Sequence, residues 1–247
     1  MTEIIAHRGA SKVAPENTML AFKIAYQLGI ESIETDVHLT KDHVPVLIHD
    51  DRVERTTNGI GYVKDFSLQQ LKQLDAGSWF SPNFPNSSIV TLEEFLTWAQ
   101  SKPFHLNIEL KNNKIDDTRL ESIVLDMITY FHLHEKTTIS TFNPHSIKRM
   151  ATLEKPPNLA LLTSRRRRNL CTYATNLGAQ ALHIKYRLLN KRLVRECRKK
   201  GIPLRVFTVN KLNHMMRCFQ LGCHGIFTDN PEKAIHYREI FLVNRQL

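Results

Sequence analysis

The sequence predicts a (β/α)8 TIM-type barrel of the α/β class with a small insertion near residues 51–88, and two observations support this. Short strand-like runs alternate with amphipathic helical stretches nearly from end to end, which is typical of a parallel sheet. About eight such repeats fit within 247 residues, a number that favours a closed barrel over an open doubly wound sheet. We therefore expect a single domain spanning residues 1–247.

The individual elements follow from the hydrophobic periodicity. After a first strand at residues 3–6, the segment 17–29 carries apolar residues at helical spacing and stops at Gly29, as expected for a glycine C-cap. Further strand-like runs lie near residues 31–38, 44–48, 105–110, 137–140, 159–163, 180–185, 203–208 and 225–228. Helical patterns separate most of them, at residues 91–101, 117–132, 144–153, 169–177, 189–200, 211–221 and 231–240. These patterns determine the number of repeats to within one.

The alternation breaks at residues 51–88. This stretch holds a polar turn at 57–59, a short helix signal at 67–75 and an aromatic loop at 77–82. Long connections in compact domains are usually functional. We interpret the stretch as a small insertion emerging from the catalytic face and not as a separate domain.

Composition and charge fit a compact cytoplasmic protein. Hydrophobic residues make up 42% of the chain and the formal net charge is +10. No apolar stretch approaches the roughly 20 residues that span a bilayer, and the first residues lack the pattern of a secretory signal. The cysteines show no C-x-x-C spacing, so we expect them to be reduced and mostly structural. They are Cys171, Cys197, Cys218 and Cys223.

Groups able to do chemistry follow four of the strand-like runs. They are His-Arg-Gly at 7–9, Glu-Thr-Asp at 34–36, His-Asp at 49–50 and Glu-Leu-Lys at 109–111. A single histidine beside an arginine is usually a solvated turn. Four such strand ends in one chain favour an active site at the mouth of the barrel.

Three carboxylates are expected to converge there. Alternate residues of a strand point to the same side, so Glu34 and Asp36 project together and Glu109 lies on another strand. Crowded like charges repel unless a cation lies among them, and an all-oxygen ligand set suits Mg²⁺ or Ca²⁺ better than zinc. The alternative is a closed ion network in which Arg8 and Lys111 neutralise the carboxylates.

The remaining groups predict phosphoryl transfer. His7 and His49 titrate near neutrality and can divide the general-base and general-acid roles. Arg8 and Lys111 add positive charge suited to an anion, and a guanidinium can bind phosphate in a bidentate manner. A cation, two histidines, an arginine and a lysine together favour chemistry at phosphorus.

At this point the sequence resembles the glycerophosphodiester phosphodiesterase family over nearly its whole length. The motifs that carry the resemblance are His7-Arg8-Gly9, Pro15-Glu16-Asn17-Thr18, Glu34-Thr35-Asp36-Val37, His49-Asp50, Asp75-Ala76-Gly77-Ser78-Trp79-Phe80, Ile108-Glu109-Leu110-Lys111, Phe142-Asn143-Pro144, Thr208-Val209-Asn210 and Gly225-Ile226-Phe227-Thr228-Asp229-Asn230-Pro231. The resemblance implies a (β/α)8 barrel with a small insertion.

The resemblance also implies roles for the residues that match the family's motifs. A single divalent cation, Mg²⁺ or Ca²⁺, is expected on Glu34, Asp36 and Glu109, with His7 and His49 as acid and base. The positions of Arg8 and Lys111 are expected to contact phosphate. One histidine would deprotonate the glycerol 2-hydroxyl for attack on phosphorus, and the other would protonate the leaving alcohol. Water would then open the cyclic phosphate to give sn-glycerol 3-phosphate.

Two positions depart from the family pattern. Phe207 stands where the family usually has a tryptophan, which keeps an aromatic face near the substrate but removes the indole N–H donor. His224 stands where an aspartate is usual. Neither change touches the expected metal or acid–base residues. We therefore expect the two changes to alter substrate preference and not to remove the activity.

Three further residues are candidates for supporting roles. Glu16 and Asn17 could orient Arg8 or cap the first helix with Asn17 as its N-cap, and the two roles are compatible. Asp50 could support the site through its neighbours or lie in a plain turn.

The net positive charge leaves rival functions open. Arg165–Arg168 follow a strand near the expected site and could attract an anionic substrate or surface, although such runs are usually solvated. A protein that binds nucleic acid or an anionic membrane without catalysis would explain the charge but not the strand-end chemistry. We expect a small-molecule substrate, no nucleic acid, and at most peripheral contact with anionic surfaces. The oligomeric state stays open.

Two further readings concern the barrel itself. A lysophospholipase D could use the same site, with aromatic residues of the insertion against an acyl chain; these are Trp79, Phe80 and Phe84. A barrel that only binds its ligand is disfavoured, since every expected catalytic position is filled.

Overall fold

A closed barrel of eight parallel strands forms the centre of the molecule in the computed structural model, which describes residues 1–246. The strands are β1 (Glu3–His7), β2 (Ser32–Leu39), β3 (Pro45–Leu47), β4 (His105–Leu110), β5 (Thr137–Thr141), β6 (Asn158–Thr163), β7 (Ala181–Lys185), β8 (Leu204–Phe207) and β9 (Gly225–Thr228). Parallel pairing runs from β1 through β2 and then β4 to β9, which pairs with β1 and closes the barrel. The predicted (β/α)8 barrel is confirmed.

The additional strand explains the uncertainty in the count. β3 pairs antiparallel with the second half of β2 and therefore lies outside the parallel barrel. Because β2 continues to Leu39 to make this pairing, Glu34 and Asp36 lie within the strand and not after its end.

Helices follow the barrel strands as expected. They are α1 (Met19–Gln27), α2 (Leu68–Leu71), α3 (Leu92–Ala99), α4 (Thr118–Tyr130), α5 (Pro144–Met150), α6 (Leu170–Asn176), α7 (Lys191–Lys199), α8 (Leu212–Leu221) and α9 (Pro231–Gln246). The prediction of a helix at 67–75 is too long. α2 ends at Leu71, and the chain beyond it turns at Asp75, whose carboxylate accepts hydrogen bonds from the backbone N–H groups of Gly77 and Ser78.

The insertion packs directly onto the barrel. Its apolar side chains form a small second core with β3, separate from the main core around the barrel. This core consists of Val46, Ile48, Val53, Val63, Leu71, Ala76 and Ile89. All four cysteines are unpaired and buried. Among residues 1–246, no helix combines the length and the apolar character needed to cross a bilayer.

Candidate active site

Three buried carboxylates meet inside the mouth of the barrel, as predicted. Glu34 and Asp36 project from β2, and Glu109 lies beside Asp36 in the register of β4. One oxygen of each carboxylate lies within 4.8 Å of the others. The parity of the two strands produces this arrangement, because side chains two residues apart share a face.

Two cations lie against these carboxylates. The Arg8 Nε atom is 3.2 Å from Asp36, and the Lys111 ammonium is 2.7 Å from Glu109 and 3.4 Å from Asp36. The backbone N–H of Arg8 donates to Glu34 at 2.9 Å. The alternative of an ion network within the protein is thus partly present, but it offers two cations to three carboxylates.

The excess of carboxylates over cations affects the pKa values of the carboxyl groups. Burial, together with the negative charges of Asp36 and Glu109, raises the pKa of Glu34 well above its usual range. Burial also opposes ionisation of Asp36, but Lys111 and Arg8 outweigh it and lower its pKa. The Oδ1 atom of Asp36 is buried and accepts no hydrogen bond, and the Lys111 ammonium is 3.4 Å from it. A buried all-oxygen cluster whose carboxylates repel one another and include an oxygen without a hydrogen bond fits a hard divalent cation.

The first expected acid–base group is held by a residue from the far end of the chain. His7 Nδ1 lies 2.6 Å from Asp229 Oδ1, and the other Asp229 oxygen accepts from the Asn210 side chain at 2.5 Å. Burial opposes the negative charge of Asp229, but the contact with His7 outweighs it and lowers the pKa of the carboxyl. Sequence reasoning missed Asp229 as a site residue, although it directly follows β9 as His7 ends β1.

The second expected acid–base group has a matching carboxylate. His49 Nδ1 lies 2.8 Å from Asp50 Oδ1, so the supporting role considered for Asp50 has a geometric basis. Burial, together with the nearby charges of Lys111 and Arg8, lowers the pKa of His49. The imidazole is therefore mostly neutral at pH 7.

An arginine of the insertion joins the two sides of the site. Arg55 Nε donates to Asp50, and its terminal nitrogens donate to Glu16 at 2.9 and 2.7 Å. Glu16 also accepts from Arg8 at 2.8 Å, which is the contact that orienting Arg8 would require. Ion pairs thus run from Arg8 through Glu16 and Arg55 to Asp50. No sequence signal distinguished Arg55 from other charged residues of the insertion.

Asn17 differs from one of its two expected roles. Thr18 is the N-cap of α1, since its hydroxyl accepts from the N–H of Ala21 at 3.3 Å. Asn17 has a left-handed backbone (φ 56°) that turns its side chain into the barrel, where it donates to Asp36 at 3.0 Å and accepts from Thr35 at 2.8 Å. Its contact is with the carboxylate cluster, and the expected N-cap is wrong.

The two departures from the family pattern lie at opposite ends of the barrel. Phe207 ends β8 at the mouth, where its ring meets Phe142 edge-on at 5.8 Å. His224 is exposed directly before β9, at the amino end of the barrel and away from the carboxylates. The aromatic residues of the insertion pack against one another, with ring centroids 5.7 Å apart for Trp79 and Phe80.

Comparisons with known proteins agree with this geometry. Residues 7–233 match the model of the "Glycerophosphoryl diester phosphodiesterase family". A glycerophosphodiester phosphodiesterase of Caldanaerobacter subterraneus is 39% identical, covering 95% of this chain and 97% of that protein. One from Bacillus altitudinis is 36% identical, with 97% and 99% covered. A phosphodiesterase of Oleispira antarctica, solved with its product sn-glycerol-3-phosphate, superposes with a TM-score of 0.90 at 29% identity, covering 97% of each chain.

Proposed function

Since this chain belongs to the glycerophosphodiester phosphodiesterase family and is a phosphoric diester hydrolase, we propose that it releases sn-glycerol 3-phosphate by acid–base catalysis with His7 and His49. One observation carries the proposal. Each histidine contacts its own carboxylate, and both lie near the buried acidic cluster: His7 pairs with Glu34 in register, and the charge of His49 acts on Asp36. The product bound to the Oleispira antarctica neighbour supports a small glycerophosphodiester as substrate. That residues 1–247 act as one domain is part of the proposal.

The acidic cluster is suited to hold a single divalent cation. We assign Glu34, Asp36 and Glu109 as its ligands, with Mg²⁺ and Ca²⁺ both compatible with their oxygens. When bound, the cation would supply positive charge to the phosphate oxygens as negative charge develops on them.

Arg8 and Lys111 would position the phosphate. Both are partly buried and remain cationic, because the carboxylates beside them outweigh burial and raise the pKa of each. The Arg8 guanidinium is held by Glu16 and Asp36, which presents it in one orientation. A fixed guanidinium suits the paired oxygens of a phosphate.

The two histidines would divide the proton transfers. One imidazole takes the proton of the glycerol 2-hydroxyl as its oxygen attacks phosphorus, and the other gives a proton to the departing alcohol oxygen. In the second half, water attacks the cyclic phosphate and the protons return, so one water is consumed per diester. A hydrogen bond from Nδ1 to a carboxylate leaves Nε2 of each ring free for these transfers.

Variants of the histidines test this division. His7→Ala and His49→Ala should each lower kcat for glycerol 3-phosphate release by at least about 10²-fold, the loss expected for a missing acid or base. His224→Ala is the matched control, because this exposed imidazole lies at the other end of the barrel. A substrate lacking the glycerol 2-hydroxyl should bind but not react. Its hydrolysis at the normal rate would exclude the cyclic phosphate.

Chelation tests the cation. Exhaustive treatment with a chelator should abolish turnover, and Mg²⁺ or Ca²⁺ should restore it. Full activity of a chelated sample that elemental analysis shows to be free of metal would exclude the cation from the mechanism.

A cytoplasmic location and the absence of a nucleic-acid partner stay predictions, with the four unpaired cysteines consistent with a reducing compartment. Peripheral contact with anionic surfaces is tested below.

A further inference from the structure

One half of the barrel mouth carries unneutralised positive charge. The loops and strand ends at 164–169, 185–190 and 208–211 contain basic side chains and no acidic ones. Among residues 1–246, none of these exposed cations has a carboxylate partner. They are Arg165, Arg166, Arg167, Arg168, Lys185, Arg187 and Lys211.

The other half of the mouth is different. Most basic side chains around β1, the insertion and β4 are paired with a carboxylate at 4 Å or less, whereas the exposed Lys12 has no such partner among residues 1–246. The paired cations include Arg8, Arg52, Arg55, Lys64, Lys111 and Lys114. Within one mouth, carboxylates neutralise most of the cations on the side of the insertion but none of the described ones on the side of β6 to β8. A substrate in the site is therefore exposed to an asymmetric field.

A cavity adjoins the positive side. It has a volume of about 490 Å³ and lies between the loops after β5 and β6, with Phe142, Leu162 and Arg165–Arg167 in its wall. Phe142 also meets Phe207 of the mouth, so the cavity borders the site. Ser140 pairs with both Glu109 and Ala160, which places β6 two strand spacings, about 10 Å, from the acidic cluster.

Local contacts hold the arginine loop in place. The Arg187 guanidinium donates to the carbonyl of Ser164 at 2.5 Å, and the Arg167 guanidinium lies 3.7 Å from the centre of the Tyr173 ring. Among the described residues, the guanidinium groups of Arg165, Arg166 and Arg168 make no hydrogen bond and no contact with an aromatic ring. These three side chains are available to an anion.

We propose that Arg165–Arg168 and the adjoining cavity form a subsite for a second phosphate, carried by the leaving alcohol of the substrate. The substrate class is a glycerophosphodiester whose alcohol is itself phosphorylated, as in glycerol that bears phosphate on both terminal hydroxyls. The inference rests on the proposed function. The scissile P–O bond breaks as before, water supplies the hydroxyl of the glycerol 3-phosphate and the proton of the alcohol, and the second phosphate stays on that alcohol.

A matched pair of substrates tests the subsite. Glycerophosphoglycerol carries one phosphate, and 1,3-bis(glycerophospho)glycerol places a second phosphate on the same leaving group. The variant is Arg165→Gln/Arg166→Gln/Arg168→Gln. The control is Arg195→Gln/Lys199→Gln/Lys200→Gln, which removes the same charge from exposed positions of α7 and from its C-cap.

The subsite predicts a selective effect on KM. Initial rates should show KM for bis(glycerophospho)glycerol raised about tenfold in the arginine variant, the loss expected for one charge-assisted contact. The kcat for this substrate and both constants for glycerophosphoglycerol should stay within about twofold. The control variant should match the parent on both substrates.

Other results would overturn the subsite. If KM rises equally for both substrates and the effect decreases as the salt concentration increases, the arginines attract anions in general and form no subsite. Equal loss together with loss of cosedimentation on phosphatidylglycerol vesicles would assign it to a lipid surface. No loss on either substrate would make it a solvated loop.

A binding measurement separates this inference from the proposed activity. Calorimetry of both diesters with His49→Ala, with and without the three arginine changes, reports affinity without turnover. If the parent releases no glycerol 3-phosphate from either diester, the proposed function fails and the calorimetric ratio still decides the subsite. A ratio unchanged by the arginine substitutions would refute it.

Discussion

Asp229→Asn should disable His7 by reversing one hydrogen bond. Asn210 is fixed, because its Oδ1 accepts from the Thr228 hydroxyl at 3.1 Å and from the Asp229 N–H at 2.9 Å. Its NH₂ group therefore faces Asp229 Oδ2 and requires an acceptor there. An asparagine at 229 must place its oxygen toward Asn210 and its own NH₂ toward His7.

The consequence for His7 is a change of tautomer. An NH₂ group at the Oδ1 position, 2.6 Å from Nδ1, needs Nδ1 as an acceptor and moves the imidazole proton to Nε2. The ring then cannot accept a proton at Nε2, and its protonated form meets a donor where it had a carboxylate. The lost charge-assisted hydrogen bond alone is worth about 1.5–3 kcal/mol. We expect kcat to fall by at least about 10²-fold, equivalent to about 2.7 kcal/mol.

The assay compares three substitutions by kcat for glycerol 3-phosphate release across pH. Asp229→Ala removes the carboxylate without introducing a donor, and water can take its place, so its loss should be smaller than that of Asp229→Asn. Asp50→Asn should reproduce the large loss at His49, because Arg55 holds the other Asp50 oxygen as Asn210 holds that of Asp229. Urea denaturation checks that each variant is folded.

Two results would refute this reasoning. If Asp229→Asn retains kcat within about threefold of the parent, the contact with His7 has no catalytic consequence. If Asp229→Asn and Asp229→Ala lose the same activity, the orientation of the amide is irrelevant and the carboxylate acts only through its charge.

Three further predictions concern stability. Burial lowers the pKa of His183 well below its usual value, so below about pH 6.5 only the unfolded chain binds a proton at this imidazole. In urea titrations, the free energy of unfolding of the parent should therefore fall by about 1.4 kcal/mol more than that of His183→Leu for each unit by which the pH drops below about 6.5. Gly9→Ala places a Cβ 2.6 Å from the Ala21 carbonyl carbon at φ +80°, and urea denaturation should show the free energy of unfolding lowered by at least about 1–3 kcal/mol. Gly29→Ala should lower it less, because Gly29 has a similar φ of +71° but open space around the position of the new Cβ. Calorimetric scans should show Mg²⁺ or Ca²⁺ raising the Tm, because a bound cation relieves the repulsion at Glu34, and Glu34→Gln should reduce the shift.

Much of the site was accessible from the sequence because its residues lie on regular strands. Parallel strands end at the same side of a barrel, and side chains two residues apart share a face. Glu34, Asp36 and Glu109 could therefore be brought together from their spacing alone. The histidines at 7 and 49 followed from the same reasoning, since each comes at the end of a strand-like run.

Other features depend on contacts that no local pattern encodes. β3 carries the same apolar signature as a barrel strand, and only its antiparallel pairing with β2 excludes it from the barrel. The left-handed backbone of Asn17 turned a candidate helix cap into a partner of Asp36. Propensity describes each residue's local preferences, and both outcomes were decided by tertiary packing.

The sequence by itself determined the barrel and the side chains that line its mouth, because strand periodicity and helix periodicity are local properties. Only the tertiary structure decided how those side chains are coupled. His7 and Asp229 are 222 positions apart and meet because β9 closes the barrel against β1. Arg55 reaches Glu16 across 39 positions because the insertion folds back over the mouth. Such pairings depend on where the chain returns in space, a global property that no window of the sequence contains.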